Sequence, residues 1–127
     1  MVAEQLSLLE EVDEKAVRKI IVKELKNYRA LKVQMENKKD CEDAGLISLF
    51  PSLRKTHQIN ELKVKHIERA LNNGLDTIQR EIIQRKYLEP QEINDLTIYI
   101  ELGLKKDVYY EKKRTAILMI ATSLGII

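Results

Sequence analysis

The chain has no Trp, one Phe and one Cys among its 127 residues, and only four Gly and two Pro. Each scarcity removes a class of protein. A lone Cys41 cannot close an intrachain disulfide, so a disulfide scaffold is excluded and a reducing cytoplasm is the expected compartment. So little Gly and Pro argues against a long disordered chain. No apolar run approaches the ~18 residues of a membrane span, and the first residues are acidic with no apolar signal core, which argues against secretion. With five Tyr and one Phe as the only aromatics, aliphatic side chains must build the core.

Catalytic and metal chemistry is equally short of material. His57 and His66 have no companion cluster of Cys or His to complete a metal set. Cys41 sits among acids with no His nearby in sequence, poor surroundings for a nucleophilic thiolate. There is no Gly-rich phosphate loop and no nucleophile elbow, and the paired acids Glu10-Glu11 and Glu42-Asp43 lie on charged segments. The expectation is a protein that is not an enzyme, with no cofactor, metal or small-molecule substrate.

What the chain has is charge, 33% of its residues, alternating with Ile, Leu and Val at helical spacing. This predicts an all-α fold, a small bundle of about five helices. The net charge of +2 hides a segregated distribution. Residues 1–14 carry five acids and no base, and residues 15–39 carry nine Lys or Arg against two acids. Residues 67–102 are net −3 and residues 103–127 net +3. Segregation of this kind points to contact with a polyanion.

The first helix is expected over residues 13–38 with Asp13 as N-cap. Val17, Ile20, Ile21, Leu25, Tyr28, Leu31 and Met35 form its apolar stripe. Lys15, Lys19, Lys23 and Lys26 lie roughly opposite, either as a solvated face or as a second DNA-contacting surface. Residues 39–58 are irregular, broken by Gly45 and Pro51. The run Leu46-Ile47-Ser48-Leu49-Phe50 within them is expected to pack on the core rather than form a partner-binding strip. A second helix follows over 59–73, with Ile59, Leu62, His66, Ile67, Ala70 and Leu71 inward. Asn72-Asn73-Gly74 reads as its left-handed stop. Asp76-Thr77-Ile78-Gln79 has the form of a capping box for a third helix running to Leu88, which Pro90 stops. Two segments result: 1–58, a long helix with a linker, and 59–127, a helical DNA-binding domain.

Residues 94–123 carry the functional signal. Asn94 caps a short helix with Ile98 and Leu102 inward. Gly103 takes the position past the C-cap, and a longer helix starts near Lys106 with Tyr109, Ala116, Ile117 and Ile120 inward. Two helices joined by a tight Gly turn, the second beginning basic and aromatic, form the layout of a helix-turn-helix. With Tyr109 inward, Lys106, Tyr110, Lys113 and Arg114 are expected to face outward. Lys106 and Tyr110 would stand nearest the bases of double-stranded DNA, Lys113 and Arg114 nearer its backbone, and Lys105 is counted with them as a DNA-binding residue.

The same stretch resembles the ArpU family (autolysin regulatory protein) of phage transcriptional regulators in Gram-positive hosts. The matching residues are Ile98, Tyr99, Leu102, Gly103, Tyr109, Tyr110, Lys113, Ala116, Ala121 and Leu124. Leu75–Leu88 is similar to the preceding helix of that family, and Leu25-Lys26-Asn27-Tyr28-Arg29 to part of its N-terminal helix. The resemblance implies a C-terminal region like the promoter-reading region four of sigma factors, and control of late phage or prophage genes of packaging and lysis in a bacterial cytoplasm. The chain departs from it at Lys105, where these regulators usually have a capping Ser. Lys cannot accept that hydrogen bond, so the helix is expected to start at Asp107 or to be capped by water. One such motif buries little interface, so a homodimer on two half-sites, or recruitment beside host RNA polymerase, would supply further affinity. The alternative function is a helical protein-interaction or assembly factor without DNA contact.

Overall fold

A computed structural model of the chain describes residues 12–54 and 56–127. Glu4, Glu10 and Glu11 of the acidic N-terminal stretch lie outside the described residues.

Asp13 starts the first helix, α1 (Glu14–Asp43), by accepting the Ala16 N–H on its side chain at 3.1 Å. Val17, Ile21, Leu25 and Tyr28 are buried. Ile20, expected in the same stripe, is 45% exposed. At about 100° per residue it lies roughly 60° to one side of Val17, while Ile21, Leu25 and Tyr28 all lie to the other. No residue of α1 beyond Tyr28 is fully buried; Leu31 and Met35 are partly so.

The helix runs to Asp43 rather than 38, which carries its end roughly 22 Å past Tyr28. The following apolar run is thereby held away from the core. Ile47 is 99% and Phe50 80% exposed, against the expectation that this segment packs inward. Its turns are closed locally, by Ser48 Oγ donating to the Phe50 carbonyl at 2.6 Å and Ser52 Oγ to that of Arg54 at 2.7 Å.

The second helix, α2 (His57–Asn73), buries Val64, Ile67, Ala70 and Leu71. Ile59, Leu62 and His66 are exposed, against expectation. They fall roughly 90–150° from the centre of the buried face, which Val64, Ile67, Ala70 and Leu71 set together. Lys38–Glu61, Lys32–Glu68 and Lys63–Glu24 pairs tie α1 to α2 across solvent-exposed flanks.

Gly74 ends α2 with φ of −97°, so the stop is not left-handed as expected. Glycine is required there for space. A Cβ would stand 2.7 Å from the Ala70 carbonyl oxygen and 2.9 Å from Ser123 Oγ. Arg80 then satisfies the exposed carbonyls of the α2 end, donating to Leu71 and Asn72 at 3.0 Å each.

The capping box forms as expected. Asp76 Oδ1 accepts the Gln79 N–H at 2.7 Å and Gln79 Oε1 accepts the Asp76 N–H at 3.0 Å. It starts α3 (Thr77–Ile83), which widens into a π-helical turn over Gln84–Leu88. The last two helices are α4 (Asp95–Glu101) and α5 (Lys106–Ser123). The fold is all-α, with no strand among the described residues.

Two clusters hold these helices. The larger joins α1, α2, α3 and α5 through Ile21, Leu25, Ile67, Ile83, Ala116 and Ile120, so α1 packs on the bundle of its own chain. The smaller gathers Ile82, Ile98 and Tyr109, with Leu102 and Leu104 partly buried against them. Adjacent residues Ile82 and Ile83 serve different clusters because neighbours on a helix point about 100° apart. Through them α3 fixes the two-helix unit to the bundle.

Candidate nucleic-acid interface

Asn94 Oδ1 accepts the Thr97 N–H at 2.8 Å and starts α4. Gly103 ends it in the left-handed region, φ +68°. The Leu104 N–H bonds to the Tyr99 carbonyl at 2.9 Å and the Gly103 N–H to that of Ile100 at 3.1 Å. This is a Schellman turn, and Tyr99 and Leu104 both pack on the smaller cluster, completing its hydrophobic contact. Lys105 is the N-cap residue of α5, extended at φ −70° and ψ 150°, with no side-chain capping bond. The helix begins at Lys106, as its apolar spacing predicts, rather than at the alternative start Asp107, which stands in its first turn, where a negative charge is favourable.

Behind the turn lies a polar centre that the residue pattern does not announce. Tyr109 is fully buried, and its hydroxyl donates to Asp95 Oδ1 at 2.6 Å. Lys113 Nζ donates to the same oxygen at 3.0 Å, and Lys86 Nζ stands 3.9 Å from Oδ2 while donating to the Ile93 carbonyl at 3.1 Å. The Tyr109 ring lies 5.5 Å from that of Tyr99 and 5.3 Å, edge-on, from that of Tyr110. Burial works to raise the Asp95 pKa, but the Tyr109 hydroxyl, Lys113 and Lys86 together hold it below the usual carboxylate value. Burial, followed by the bond to Asp95 and its charge, pushes the Tyr109 phenol well above its ordinary value.

Ile98, Tyr109 and Ala116 are buried as expected, Leu102 is partly buried, and Gly103 adopts its left-handed turn. Lys105, Lys106, Tyr110 and Arg114 are exposed, the last three at four-residue steps along one flank of α5. Asp107 and Glu111 share that flank. Lys113 corrects the expectation that it faces outward. Its side chain is 14% exposed, drawn inward by Asp95 and lying 5.1 Å from the Tyr110 ring centre. Arg114 is exposed but engaged: its guanidinium meets both oxygens of Glu14, at 2.5 and 3.0 Å, and Glu111 at 3.1 Å.

A shallow groove of about 640 Å³ adjoins Lys113 between α1 and the π-helical turn. Arg18, Lys19, Lys23, Lys26 and Tyr87 line it with Lys113. The alternation of lysines along α1 signals part of this surface. Arg18 and Tyr87 could not be placed in it from spacing alone, since Tyr87 arrives through the π-helical turn. Tyr87 is raised to about 12, first by burial and then by Asp95, against the opposing charge of Arg18.

Among the described residues no group of three or more His, Cys, Asp or Glu side chains could hold a metal ion, and no helix is long and apolar enough to cross a membrane. Comparison with family models, with curated proteins and with solved structures finds no match.

Proposed function

We propose that the chain is a sequence-specific DNA-binding transcription regulator that lays the start of α5 in the major groove. The observation that carries this reading is the α4–Gly103–α5 unit. A Schellman turn and the Tyr109–Asp95–Lys113 centre fix the angle of α5, and its exposed flank offers Lys106, Tyr110 and Arg114, with Lys105 at its head. A helix held rigidly from behind, with long basic and aromatic side chains in front, suits base-edge and phosphate contact. The resemblance to the ArpU regulators supports the same reading. It extends the reading to late phage genes and a bacterial cytoplasm, while the small interface of one such motif calls for action beside RNA polymerase or as a dimer.

Selection of binding sites from random duplexes with the purified chain tests the proposal. An enriched sequence is expected, lost with Tyr110→Ala, with residual salt-dependent binding reduced by Lys106→Ala. No enrichment, together with no salt-dependent binding, would reject it. A second reading, a helical protein-interaction factor, is favoured by one observation, the outward Ile47, Leu49, Phe50 and Leu53 of the α1–α2 connection.

A further inference from the structure

We infer that the first half of α1 is a second nucleic-acid contact, taking the sugar–phosphate backbone of the duplex that the start of α5 engages; this rests on the DNA-binding reading above. Unpaired cations also occur elsewhere among the described residues, including Lys39, Lys65, Arg69 and Lys112, and this surface differs in gathering four of them along one groove. Lys32, Lys38, Lys63 and Arg85 each lie within 4.0 Å of a carboxylate. Among the described residues, Arg18, Lys19, Lys23 and Lys26 have no such partner, although all four line one groove. Glu24 is the only acid between Lys15 and Met35, and it turns to Lys63 of α2 at 3.8 Å.

A merely solvated helix face gains from interleaved acids, because like charges repel and opposite charges three or four residues apart attract. The second half of α1 follows that rule, with Glu36, Asp40, Glu42 and Asp43 among its lysines. The first half does not. No acid lines the groove, and the carboxylates nearest its ends, Glu14 and Asp95, are held by Arg114 and by Lys113 with Tyr109.

The shape selects the kind of anion. The groove is shallow and open, and apart from the inward Lys113 its cations are exposed lysines and an arginine rather than buried donors. A small anion would gain little enclosure from it. A ligand bearing its own row of charges would meet all of them. From Arg18 to Lys26 the helix advances roughly 12 Å, a length over which one strand of a duplex presents about three phosphates. The groove also continues into the reading flank, because Lys113 lines it and lies 5.1 Å from the ring centre of Tyr110. A backbone passing the start of α5 has α1 as its next positive surface.

The test measures binding of a fluorescein-labelled random-sequence duplex by anisotropy across a salt series. The full chain is compared with Lys19→Ala/Lys23→Ala/Lys26→Ala and, separately, with Lys106→Ala/Tyr110→Ala. Melting temperatures confirm folding; the three lysines are exposed and alanine keeps the helix. The α1 variant should bind more weakly, with a salt slope shallower by roughly 0.9 for each phosphate contact removed. Its loss should be equal on the selected site and on random duplex. If the α1 variant keeps the full slope while the α5 variant loses affinity, the α1 contact is overturned and the helix-turn-helix reading stands. If the α1 variant loses slope and the α5 variant does not, the α1 contact holds and the reading of α5 falls. A chain that binds poly-glutamate but no duplex would overturn both.

Discussion

The hydroxyl of Tyr109 donates to Asp95 at 2.6 Å, joining the first turn of α4 to the first turns of α5 across the Gly103 corner. Tyr109→Phe removes this bond without opening a cavity. A hydrogen bond to a charged group contributes roughly 1.5–3 kcal/mol, and Asp95 keeps Lys113 and Lys86, so a loss at the lower end is expected in urea denaturation. The pH dependence carries a second signature. The folded pKa of Tyr109 is raised, so its contribution is complete below the ordinary tyrosine value of about 10 and is lost as pH rises through the folded value. Stability of the wild type should fall more steeply above pH ~10 than that of Tyr109→Phe. Parallel curves would show that Tyr109 does not hold its proton through Asp95.

Lys113 separates packing from charge. Lys113→Met keeps an apolar stem over the two tyrosine rings and removes the ammonium from Asp95, whereas Lys113→Ala removes both. Both should destabilise the chain, Ala more than Met, in the range of about 1–3 kcal/mol for a polar group deprived of its partner. Because Asp95 already neutralises the ammonium, Lys113→Ala should flatten the salt slope of duplex binding less than Lys106→Ala. A larger effect from Lys113 would place its charge on the DNA rather than on Asp95.

Glu14 holds Arg114 at both carboxylate oxygens from a position 100 residues earlier in the chain. Both side chains are about half exposed, and solvent screening leaves pairs of this kind little net contribution to stability. Glu14→Gln should therefore cost little in melting temperature. It releases Nε and Nη2 of the Arg114 guanidinium from a carboxylate, leaving Nη1 on Glu111, and removes a repelling charge beside the flank of α5. Duplex binding should tighten, with a salt slope steeper by up to about 0.9. An unchanged slope would mean that Arg114 does not reach a phosphate.

These contacts show which parts of the fold were legible in the residue pattern. Caps and turns were, because Asp13, Asn94, Gly103 and the Asp76/Gln79 box act through bonds to neighbours a few residues away. Helix faces were legible in their centres but not at their edges. Ile20 and Leu62 satisfy three- and four-residue spacing yet lie outside, since rotation of a helix is set by what packs against it. Spacing places Lys113 outward because its inward partner, Asp95, lies on another helix. The Glu14–Arg114 pair and the groove shared by Arg18 and Tyr87 were hidden for the same reason. Each needs two distant segments to be placed before either residue has a neighbour.

The residue pattern predicts a left-handed stop at both Gly74 and Gly103, and alanine should distinguish them. At Gly103 nothing lies within 4 Å of an added Cβ, so Gly103→Ala meets only the cost of the left-handed conformation, about 1–2 kcal/mol. At Gly74 the backbone is right-handed and the obstacles are the Ala70 carbonyl and Ser123 Oγ. The hydroxyl can turn away at the expense of its 2.7 Å bond to the Met119 carbonyl, but the Ala70 oxygen belongs to the last turn of α2 and can yield only by shifting that turn. Overpacking of this kind costs roughly 1–3 kcal/mol. Ser123→Ala made together with Gly74→Ala should recover part of the loss in urea denaturation, and should recover nothing when combined with Gly103→Ala. Full recovery at Gly74 would show that the α2 backbone yields freely and that the Ser123 contact alone requires glycine.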